Sequence, residues 1–215
     1  MMKSPLDGLK VLELARVLAG PWAGQLLADL GAEVIKVESP IGDETRKWGE
    51  DSFNNKSSYF KCTNRGKSSF VANFKKKNEL EMVQHLAKNA DIIIENYKVN
   101  NLKEYKLDYK NIKKINKSII YCSITGFGQN GPLSSLPGYD FIIQAMAGIM
   151  NITGEENGPP IKPGVAYADI FTSLYSVVAI QSALLSKARN ESGSYIDMSL
   201  YDTQLAVLAN QASSY

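Results

Sequence analysis

Short apolar runs alternate with amphipathic segments along most of the chain, and this alternation predicts an α/β fold. The runs are rich in β-branched residues, as is typical of strands buried on both faces of a parallel sheet. They occupy residues 9–14, 33–37, 68–72, 91–95, 118–124 and 194–198. Helical patterns lie between them, over 21–30, 78–88 and 109–115. The chain is therefore predicted to form a Rossmann-like open, mostly parallel sheet with flanking helices.

The second half of the chain places one carboxylate in a distinctive position. After a glycine-punctuated loop and a helix predicted over 139–150, residues 163–168 lead into an apolar helix that starts at Asp169. As the N-cap, Asp169 would meet free backbone N–H groups and be held ionised. Such a carboxylate can attack an acyl group. Taken alone, Asp169 favours the plainer interpretation of an ordinary cap that stabilises its helix by about 1 kcal/mol.

Composition narrows the possible functions. Apolar residues make up 44% and charged residues 21%, typical of soluble globular proteins, and a net charge of +2 gives no reason to propose nucleic acid. The N-terminus lacks a signal core and no stretch reaches about 18 apolar residues, so a cytoplasmic protein without a membrane span is expected. Cys62, Cys122 and the single histidine, His85, lack metal-ligand spacing. No metal is expected, and a Ser-His-Asp device has no obvious base.

The usual nucleotide motifs do not occur. The first strand-to-helix turn, residues 15–21, lacks the pattern G-x-G-x-x-G, and no P-loop lysine motif is found. A phosphate-bearing ligand stays open through Arg16, Lys75 or Lys98 near strand ends, although surface charges of this kind are more often solvated.

Several blocks recur in the order known from one family. They include Arg-Val-Leu-Ala-Gly-Pro at 16–21, Asp-Leu-Gly-Ala-Glu-Val-Ile-Lys-Val-Glu at 29–38, and the shorter blocks at 42–43, 64–67, 95–97, 126–128, 138–140, 163–169 and 195–202. Together they resemble the N-terminal part of the class III CoA transferases of the CaiB/BaiF type, which include formyl-CoA transferases and succinyl-CoA:glutarate CoA-transferases. The resemblance covers practically the whole chain.

The resemblance implies an enzyme that moves CoA from an acyl-CoA donor to a free carboxylic acid, with a dicarboxylate as the expected acceptor. Asp169 matches the nucleophile, which forms an aspartyl mixed anhydride and then an aspartyl-CoA thioester. CoA and acyl-CoA are substrates, and no tightly bound cofactor is implied. Contacts with CoA are implied for Leu18, Ala19, Ala72, Asn73, Lys75, Asn96, Tyr97, Lys98 and Tyr139. Their plainer interpretation is core packing for the small apolar residues and a surface role for the others.

Two alternatives stay open. Racemases of 2-methylacyl-CoA esters share these blocks but carry a histidine at the position of Tyr139, and without it proton transfer lacks one partner. A CoA-binding or subunit-association module without chemistry is the other alternative. This chain also departs from the family at three places. Ser39 stands where a basic residue is frequent, Lys-Val-Asn at 98–100 stands where Arg-Pro-Gly is frequent, and Lys103-Glu104 stands where a Glu-Arg pair is frequent. Lysine can replace arginine there as a point charge only.

The resemblance also predicts how the chain is divided. Residues 1–200 are expected to form the large Rossmann-like CoA-binding domain that carries the nucleophile. Residues 201–215, an apolar helical segment that ends without a cap, are expected to begin the linker to a smaller second domain, so the chain looks truncated. A full-length protein is expected to form an interlocked homodimer.

Overall fold

The six predicted apolar runs form the strands of one sheet. In the computed structural model, which describes residues 4–49 and 57–214, all neighbouring strands are parallel and lie in the order β3-β2-β1-β4-β5-β6. This order confirms the Rossmann-like prediction. The strands are β1 (Lys10–Leu14), β2 (Glu33–Glu38), β3 (Lys67–Val71), β4 (Ile92–Glu95), β5 (Ile120–Thr125) and β6 (Ser194–Ser199).

Helices flank the sheet on both faces. They are α1 (Ala19–Asp29), α2 (Ser58–Asn64), α3 (Lys77–Lys88), α4 (Tyr109–Ile115), α5 (Asp140–Met146), α6 (Tyr167–Asn190), α7 (Leu200–Leu208) and α8 (Asn210–Ser214). Single turns of 3-10 helix cover Glu44–Lys47 and Asn101–Lys103.

The helices of the structure differ from the predicted ones at three points. Helix α2 was not predicted; the Ser57 hydroxyl caps it by accepting the N–H of Phe60 at 3.3 Å. The helix predicted over 139–150 ends at Met146, just before Gly148, which has a φ of 89°. The helical segment predicted at the end of the chain is interrupted at Ala209, whose φ of 48° is incompatible with a continuous α-helix.

The sheet separates two apolar layers. Ile92 and Ile94 of β4 pack with α1 and α6 on one face, whereas Ile93 packs with α3 and α4 on the other. A strand buried on both sides explains why this segment is a continuous apolar run rather than an alternating one. The order also makes β1 and β4 neighbours, so the turns that follow them meet at the carboxyl edge, where open α/β sheets bind their ligands.

Helix α6 begins at Tyr167, before the start predicted at Asp169, and extends to Asn190. By length and composition its 24 residues could cross a membrane, with a mean hydropathy of 1.4 in the most apolar window. The core helix of a soluble protein meets the same criterion. Here α6 packs against α1, α5, α7, β5 and β6, and it buries the hydroxyl groups of Thr172, Ser173 and Ser176. These contacts favour a core helix.

The proposed division of the chain stays a prediction. Helix α7 packs against α6, α5 and β6 in the structure, so it continues the same layer of helices. The polar segment after β2 contains the 3-10 turn at Glu44–Lys47, and residues 50–56 lie outside the described residues.

Gly24 lets α1 lie directly on the buried Glu13 of β1. A Cβ at Gly24 would lie 2.0 Å from Glu13 Oε2, and the Glu13 carboxylate cannot withdraw because Lys36 and Lys67 both pair with it. Alanine normally stabilises a helix interior by about 1 kcal/mol relative to glycine. We expect Gly24→Ala instead to lower the free energy of unfolding by about 2–4 kcal/mol through overpacking, measured by urea denaturation.

Gly164→Ala is the matched control, because no heavy atom lies within 4 Å of its added Cβ. Its free energy of unfolding should change by no more than about 0.5 kcal/mol. Equal effects of the two substitutions would contradict this account of α1 packing.

Candidate active site

The turns after β1 and β4 are joined by one side chain. Asn96 Oδ1 accepts the N–H of Arg16 at 2.9 Å, and Asn96 Nδ2 donates to the Arg16 carbonyl at 2.7 Å. These two hydrogen bonds join the turns just beyond the paired strands β1 and β4. Asn96, predicted as a CoA contact, therefore also positions the β1–α1 turn.

The β1–α1 turn contains a residue in an unfavourable backbone conformation. Val17 has a φ of 70°, which β-branched residues rarely adopt and which costs on the order of 1–3 kcal/mol. Its N–H donates to Asp43 Oδ2 at 3.3 Å, while the preceding Arg16 guanidinium pairs with Glu44. The segment after β2 thus holds this turn from one side and Asn96 from the other.

A buried network of two lysines and two carboxylates lies beneath the turn. Lys36 Nζ contacts Glu13 Oε1 at 3.0 Å, Asp43 Oδ2 at 2.9 Å and the carbonyl of Ala15 at 2.6 Å. Lys67 Nζ lies 2.7 Å from Glu13 Oε2. Burial opposes the charge on Lys36, but Glu13 and Asp43 raise its pKa. Burial lowers the pKa of Lys67 to about 8. Removing one member of such a pair typically costs about 3–5 kcal/mol.

A cleft opens above these two turns at the carboxyl edge of the sheet. It encloses about 780 Å³ of space, part of it continuous with solvent. The turns after β1 and β4 form one wall, and the loop after β5 forms the other. Asp169, in the first turn of α6, also lines the cleft. The lining residues include Arg16, Val17, Leu18, Ala19, Asn96, Tyr97, Lys98, Val99, Thr125, Gly126, Leu136, Tyr139, Asp169 and Leu200.

Two glycines close the loop after β5. A Cβ at Gly126 would lie 2.5 Å from the Gly138 Cα, and a Cβ at Gly138 would lie 2.4 Å from the Gly126 Cα. The backbones therefore approach more closely than any other residue pair would permit. This contact returns the chain to the sheet edge and delivers Tyr139 and Asp140 to the start of α6.

The structure corrects the predicted role of Asp169 at its helix. Ala166 is the N-cap, and Asp169 lies within the first turn of α6 without capping it. The cap is supplied from α5: Asp140 Oδ1 accepts the N–H of Ala168 at 2.9 Å and the N–H of Asp169 at 3.4 Å. Gln144 Nε2 holds the other oxygen of Asp140 at 2.7 Å. The free N–H groups expected for Asp169 are thus occupied by Asp140.

The protonation of Asp169 also differs from the prediction. Burial, with a smaller contribution from the Asp140 charge, raises the pKa of Asp169 to about 7. The side chain is thus close to half ionised at neutral pH, not firmly ionised. Tyr59 of α2 lies within the same electrostatic environment: burial and then Asp169 raise its pKa to about 12. Both shifts reflect a buried site that disfavours negative charge.

The cleft brings together most of the predicted CoA contacts. Leu18, Ala19, Asn96, Tyr97, Lys98 and Tyr139 line it together with Asp169. The segment after β3 does not line this cleft: Ala72 is buried, the Asn73 side chain accepts the N–H of Lys75 at 3.0 Å, and Lys75 is exposed. Phe74 nevertheless stacks on Tyr97 with ring centroids 6.5 Å apart, so the segment adjoins the cleft. The CoA role of all these residues stays a prediction.

One departure from the family sequences has a local explanation. Asn100, where many members have glycine, adopts a φ of 68°, and asparagine tolerates this left-handed conformation better than most residues. The turn after β4 can therefore keep its shape. Lys98 is exposed on this turn and presents one positive charge to the cleft.

Neither the histidine nor a cysteine lies among the described residues that line this cleft. Within residues 4–49 and 57–214, no group of three or more His, Cys, Asp or Glu side chains could hold a metal ion. His85 lies on α3 beside Asn89, in a separate surface depression near the amino ends of β1 and β2. Cys122 is buried, which raises its pKa to about 12.

Three side chains of the site were not predicted from the sequence. Asp43 and Asp140 lie in blocks that carried the resemblance, so their position in those blocks was the available signal. Tyr59 lies on α2, which showed no helical pattern that the sequence analysis used. Each acts through a contact that joins distant segments, and such contacts leave no local periodicity.

Comparison with known proteins decides the family. The family model described as CoA-transferase family III matches residues 6–215. The chain belongs to this family. This match confirms the resemblance to the class III CoA transferases that the sequence blocks indicated. Relatives of the chain carry names of the same enzyme class.

Several relatives of the chain are enzymes named for the reaction that they catalyse. A succinate–glutarate CoA-transferase of Agrobacterium fabrum is 54% identical over 220 residues, covering 99% of this chain and 55% of the relative. The human succinyl-CoA:glutarate CoA-transferase is 46% identical, covering 98% and 48%. The crystal structure of a CaiB/BaiF family protein from Brucella suis is 56% identical with a TM-score of 0.96, covering 100% and 58%. The chain therefore spans about half the length of the curated relatives it matches.

Asn96→Asp tests the link between the two turns. Aspartate keeps the acceptor for the Arg16 N–H but loses the donor and sets a carboxylate oxygen against the Arg16 carbonyl. We expect the free energy of unfolding to fall by about 1–3 kcal/mol in urea denaturation. Asn73→Asp is the control, because the contact to the Lys75 N–H needs only an acceptor; its change should stay within about 0.5 kcal/mol. Equal changes would refute the proposed link.

Asp140→Asn separates the charge of Asp140 from its capping contact. The asparagine Oδ1 can still accept the N–H of Ala168, so α6 should stay capped. We expect the pKa of Asp169 to fall below about 7 but to remain above its ordinary value of 3.8, because burial persists. Carbon-13 NMR titration of labelled aspartate carboxyls measures it. Asp202→Asn, on α7, is the control, and an unchanged Asp169 pKa in Asp140→Asn would contradict the coupling.

Proposed function

We propose that the complete protein transfers CoA from an acyl-CoA to a free dicarboxylic acid, with Asp169 as the nucleophile. The observation that supports this proposal best is the position of Asp169. It lines one cleft with Leu18, Ala19 and Tyr139, at the edge of the sheet where open α/β sheets bind their ligands. The named relatives supply the reaction class, and this geometry supports the choice of nucleophile.

The environment of Asp169 suits acyl exchange. A carboxylate that is poorly stabilised in its free state gains reactivity toward an electrophilic acyl carbon. With a pKa of about 7, a substantial fraction is ionised at neutral pH. Tyr139 stands where related racemases carry histidine, so the described lining of the cleft offers no imidazole for moving an α-proton. The transferase reaction is therefore favoured over racemisation.

The first half of the proposed reaction loads the enzyme. An Asp169 carboxylate oxygen attacks the donor thioester carbon, the C–S bond breaks, and CoA leaves as a thiolate. The thiolate then attacks the Asp169 carbonyl of the mixed anhydride and expels the donor as a free carboxylate. Asp169 is now an aspartyl-CoA thioester. No net proton transfer is required.

The second half repeats these steps in reverse. The acceptor carboxylate attacks the aspartyl-CoA carbonyl, which releases CoA thiolate and forms a second mixed anhydride. The thiolate attacks the acceptor acyl carbon, giving the new acyl-CoA and the free Asp169 carboxylate. Because both half-reactions exchange a thioester for a carboxylate, the chemistry is close to balanced and depends on orientation within the cleft.

The cations of the cleft fit anionic substrates. Lys98 is exposed on one wall, and Arg16 lines the same wall while paired with Glu44. These groups can meet the phosphates of CoA. Succinyl-CoA and glutarate are the proposed substrates, because the relatives with 46% and 54% identity are named for succinate and glutarate.

The proposal extends to the complete protein in the cell. It acts in the cytoplasm on soluble substrates, with neither nucleic acid nor a membrane as a partner. It forms a homodimer, interlocked as the family resemblance implies. Apolar side chains exposed on α5 and α6 in this chain support a further contact surface, among them Phe141, Ile142, Met146, Leu174, Val178 and Leu185.

The decisive test is covalent trapping at Asp169. The complete protein is incubated with succinyl-CoA and glutarate, and hydroxylamine or borohydride is added before peptide mass spectrometry. We expect modification at Asp169 and formation of glutaryl-CoA. Asp169→Asn should reduce transfer at least about 1,000-fold, because an amide cannot form the anhydride.

Glu81→Gln, at an exposed position of α3, is a control for the loss of a carboxylate away from the residues that line the cleft; it should retain transfer and Asp169 labelling. Transfer without modification of Asp169, or modification confined to another residue, would refute the nucleophile. A panel of other carboxylic acids as acceptors identifies the preferred substrate in the same assay.

A further inference from the structure

Three glutamates are buried at the carboxyl edge, and only one of them has no cationic partner among the described residues. Glu13 pairs with Lys36 and Lys67, and Glu38 pairs with Arg46 at 2.7 Å. Glu95, the last residue of β4, is only 5% exposed, and within residues 4–49 and 57–214 no lysine or arginine forms an ion pair with it. A buried carboxylate without a cation needs a specific reason.

The contacts of Glu95 lead directly to the cleft. Its Oε2 accepts the N–H of Tyr97 at 2.9 Å, and the hydroxyl of Ser123 on β5 donates to the same carboxylate. Ser123 Oγ in turn accepts the hydroxyl of Tyr195 at 3.2 Å. A chain of hydrogen bonds thus runs from the partly exposed Tyr195 to the backbone of the turn that presents Asn96, Tyr97 and Lys98.

Glu95 and Asp169 act on opposite sides of the sheet. Glu95 follows Ile93 at two-residue spacing and so faces the layer of α3 and α4. Asp169 belongs to α6, whose Ala168 and Val177 pack in the layer with Ile94. Glu95 therefore contacts the turn from beneath without belonging to the group that performs the proposed chemistry.

The titratable groups around Glu95 are acidic or neutral. Asp197 and Tyr195 face it from β6, Tyr121 from β5, and Tyr97 from its own turn. Cys122 of β5 interacts with it electrostatically from the opposite face of the sheet. The neighbour on β1 in the strand pairing is the apolar Leu14. Burial, and then the charge of Asp197, raise the pKa of Glu95 to about 7. By contrast, hydrogen bonds from Arg46 and Ser69 overcome burial at Glu38 and lower its pKa to about 2.

We propose that Glu95 is a positioning residue whose ionised carboxylate holds the turn after β4 in the conformation that binds the CoA part of the substrate. This inference rests on the proposed function and adds a proton-linked control of ligand affinity. The charged form makes a charge-assisted bond to the Tyr97 N–H and accepts the Ser123 hydroxyl.

Protonation changes the direction of these hydrogen bonds. A neutral Glu95 carries an O–H that needs an acceptor, and Ser123 Oγ is the adjacent oxygen. Ser123 must then turn its own proton away from Glu95, while its second lone pair still accepts the Tyr195 hydroxyl. The bond to the Tyr97 N–H also weakens to that of a neutral acceptor. CoA affinity should therefore rise with pH as Glu95 ionises through about pH 7.

The test compares CoA binding with and without the ionisable group. Isothermal titration with CoA is performed from pH 5.5 to 8.5 on the complete protein carrying Asp169→Asn, which removes the other group that titrates near pH 7. Glu95→Gln in this background keeps a side-chain acceptor but cannot ionise. With Glu95 present, we expect CoA to bind about 3–10-fold tighter at pH 8 than at pH 6. That extra slope should vanish in the Glu95→Gln protein.

Any pH dependence of CoA binding that is left in the Glu95→Gln protein should also be present in the protein with Glu95, because the CoA phosphates and Lys67 titrate equally in both. Glu38→Gln is the matched control: Glu38 stays ionised over the whole range, so its replacement should leave the slope unchanged. Ser123→Ala keeps Glu95 but removes a donor to its charged form, and it should shift the midpoint of the dependence to higher pH.

Each outcome decides the role of Glu95. Parallel slopes with Glu95 and with Glu95→Gln would overturn it while leaving the proposed function intact. A reversed slope, with tighter binding at low pH, would mean that the carboxylate merely repels the phosphates, and would also overturn it. Absence of CoA binding at every pH in both proteins would overturn the proposed function itself. If Glu95→Gln does not fold, an unshifted midpoint in Ser123→Ala refutes the inference.

Discussion

The buried ion-pair network of Glu13, Lys36, Asp43 and Lys67 is the constraint on which the candidate site depends. It joins β1, β2, β3 and the segment after β2 at one point beneath the β1–α1 turn. Taking four charges out of water is unfavourable unless each is paired. The network therefore tolerates one arrangement of these segments, and that arrangement fixes the Val17 N–H on Asp43. A strained turn persists because its surroundings leave it no alternative.

A second constraint sets the chemistry of Asp169. The start of a helix offers few free N–H groups, and Asp140 occupies those of Ala168 and Asp169. The proposed nucleophile thus lies at the positive end of α6 without receiving its hydrogen bonds, next to another carboxylate. This arrangement raises rather than lowers its pKa. A carboxylate that is only just ionised at neutral pH is more reactive toward an acyl group than one that is firmly stabilised.

The sheet separates Asp169 and Glu95, the two carboxylates whose pKa values are raised to about 7. Asp169 belongs to the layer of α1 and α6, and Glu95 to the layer of α3 and α4. Both reach the same cleft edge, one through its side chain and one through the backbone of Tyr97. A parallel sheet permits this arrangement because consecutive side chains of a strand point to opposite faces while all strands end at the same edge.

Local patterns were sufficient to predict the strands and the parallel sheet, because burial on both faces produces continuous apolar runs and because parallel strands require helical crossovers. The order of blocks was sufficient to indicate the family and to single out Asp169. Tertiary structure alone decided that Asp140 caps α6, that Asn96 is joined to Arg16, and that Glu95 lacks a cation among the described residues. These features depend on which distant side chains meet in a low-dielectric interior, and neither periodicity nor composition carries that information.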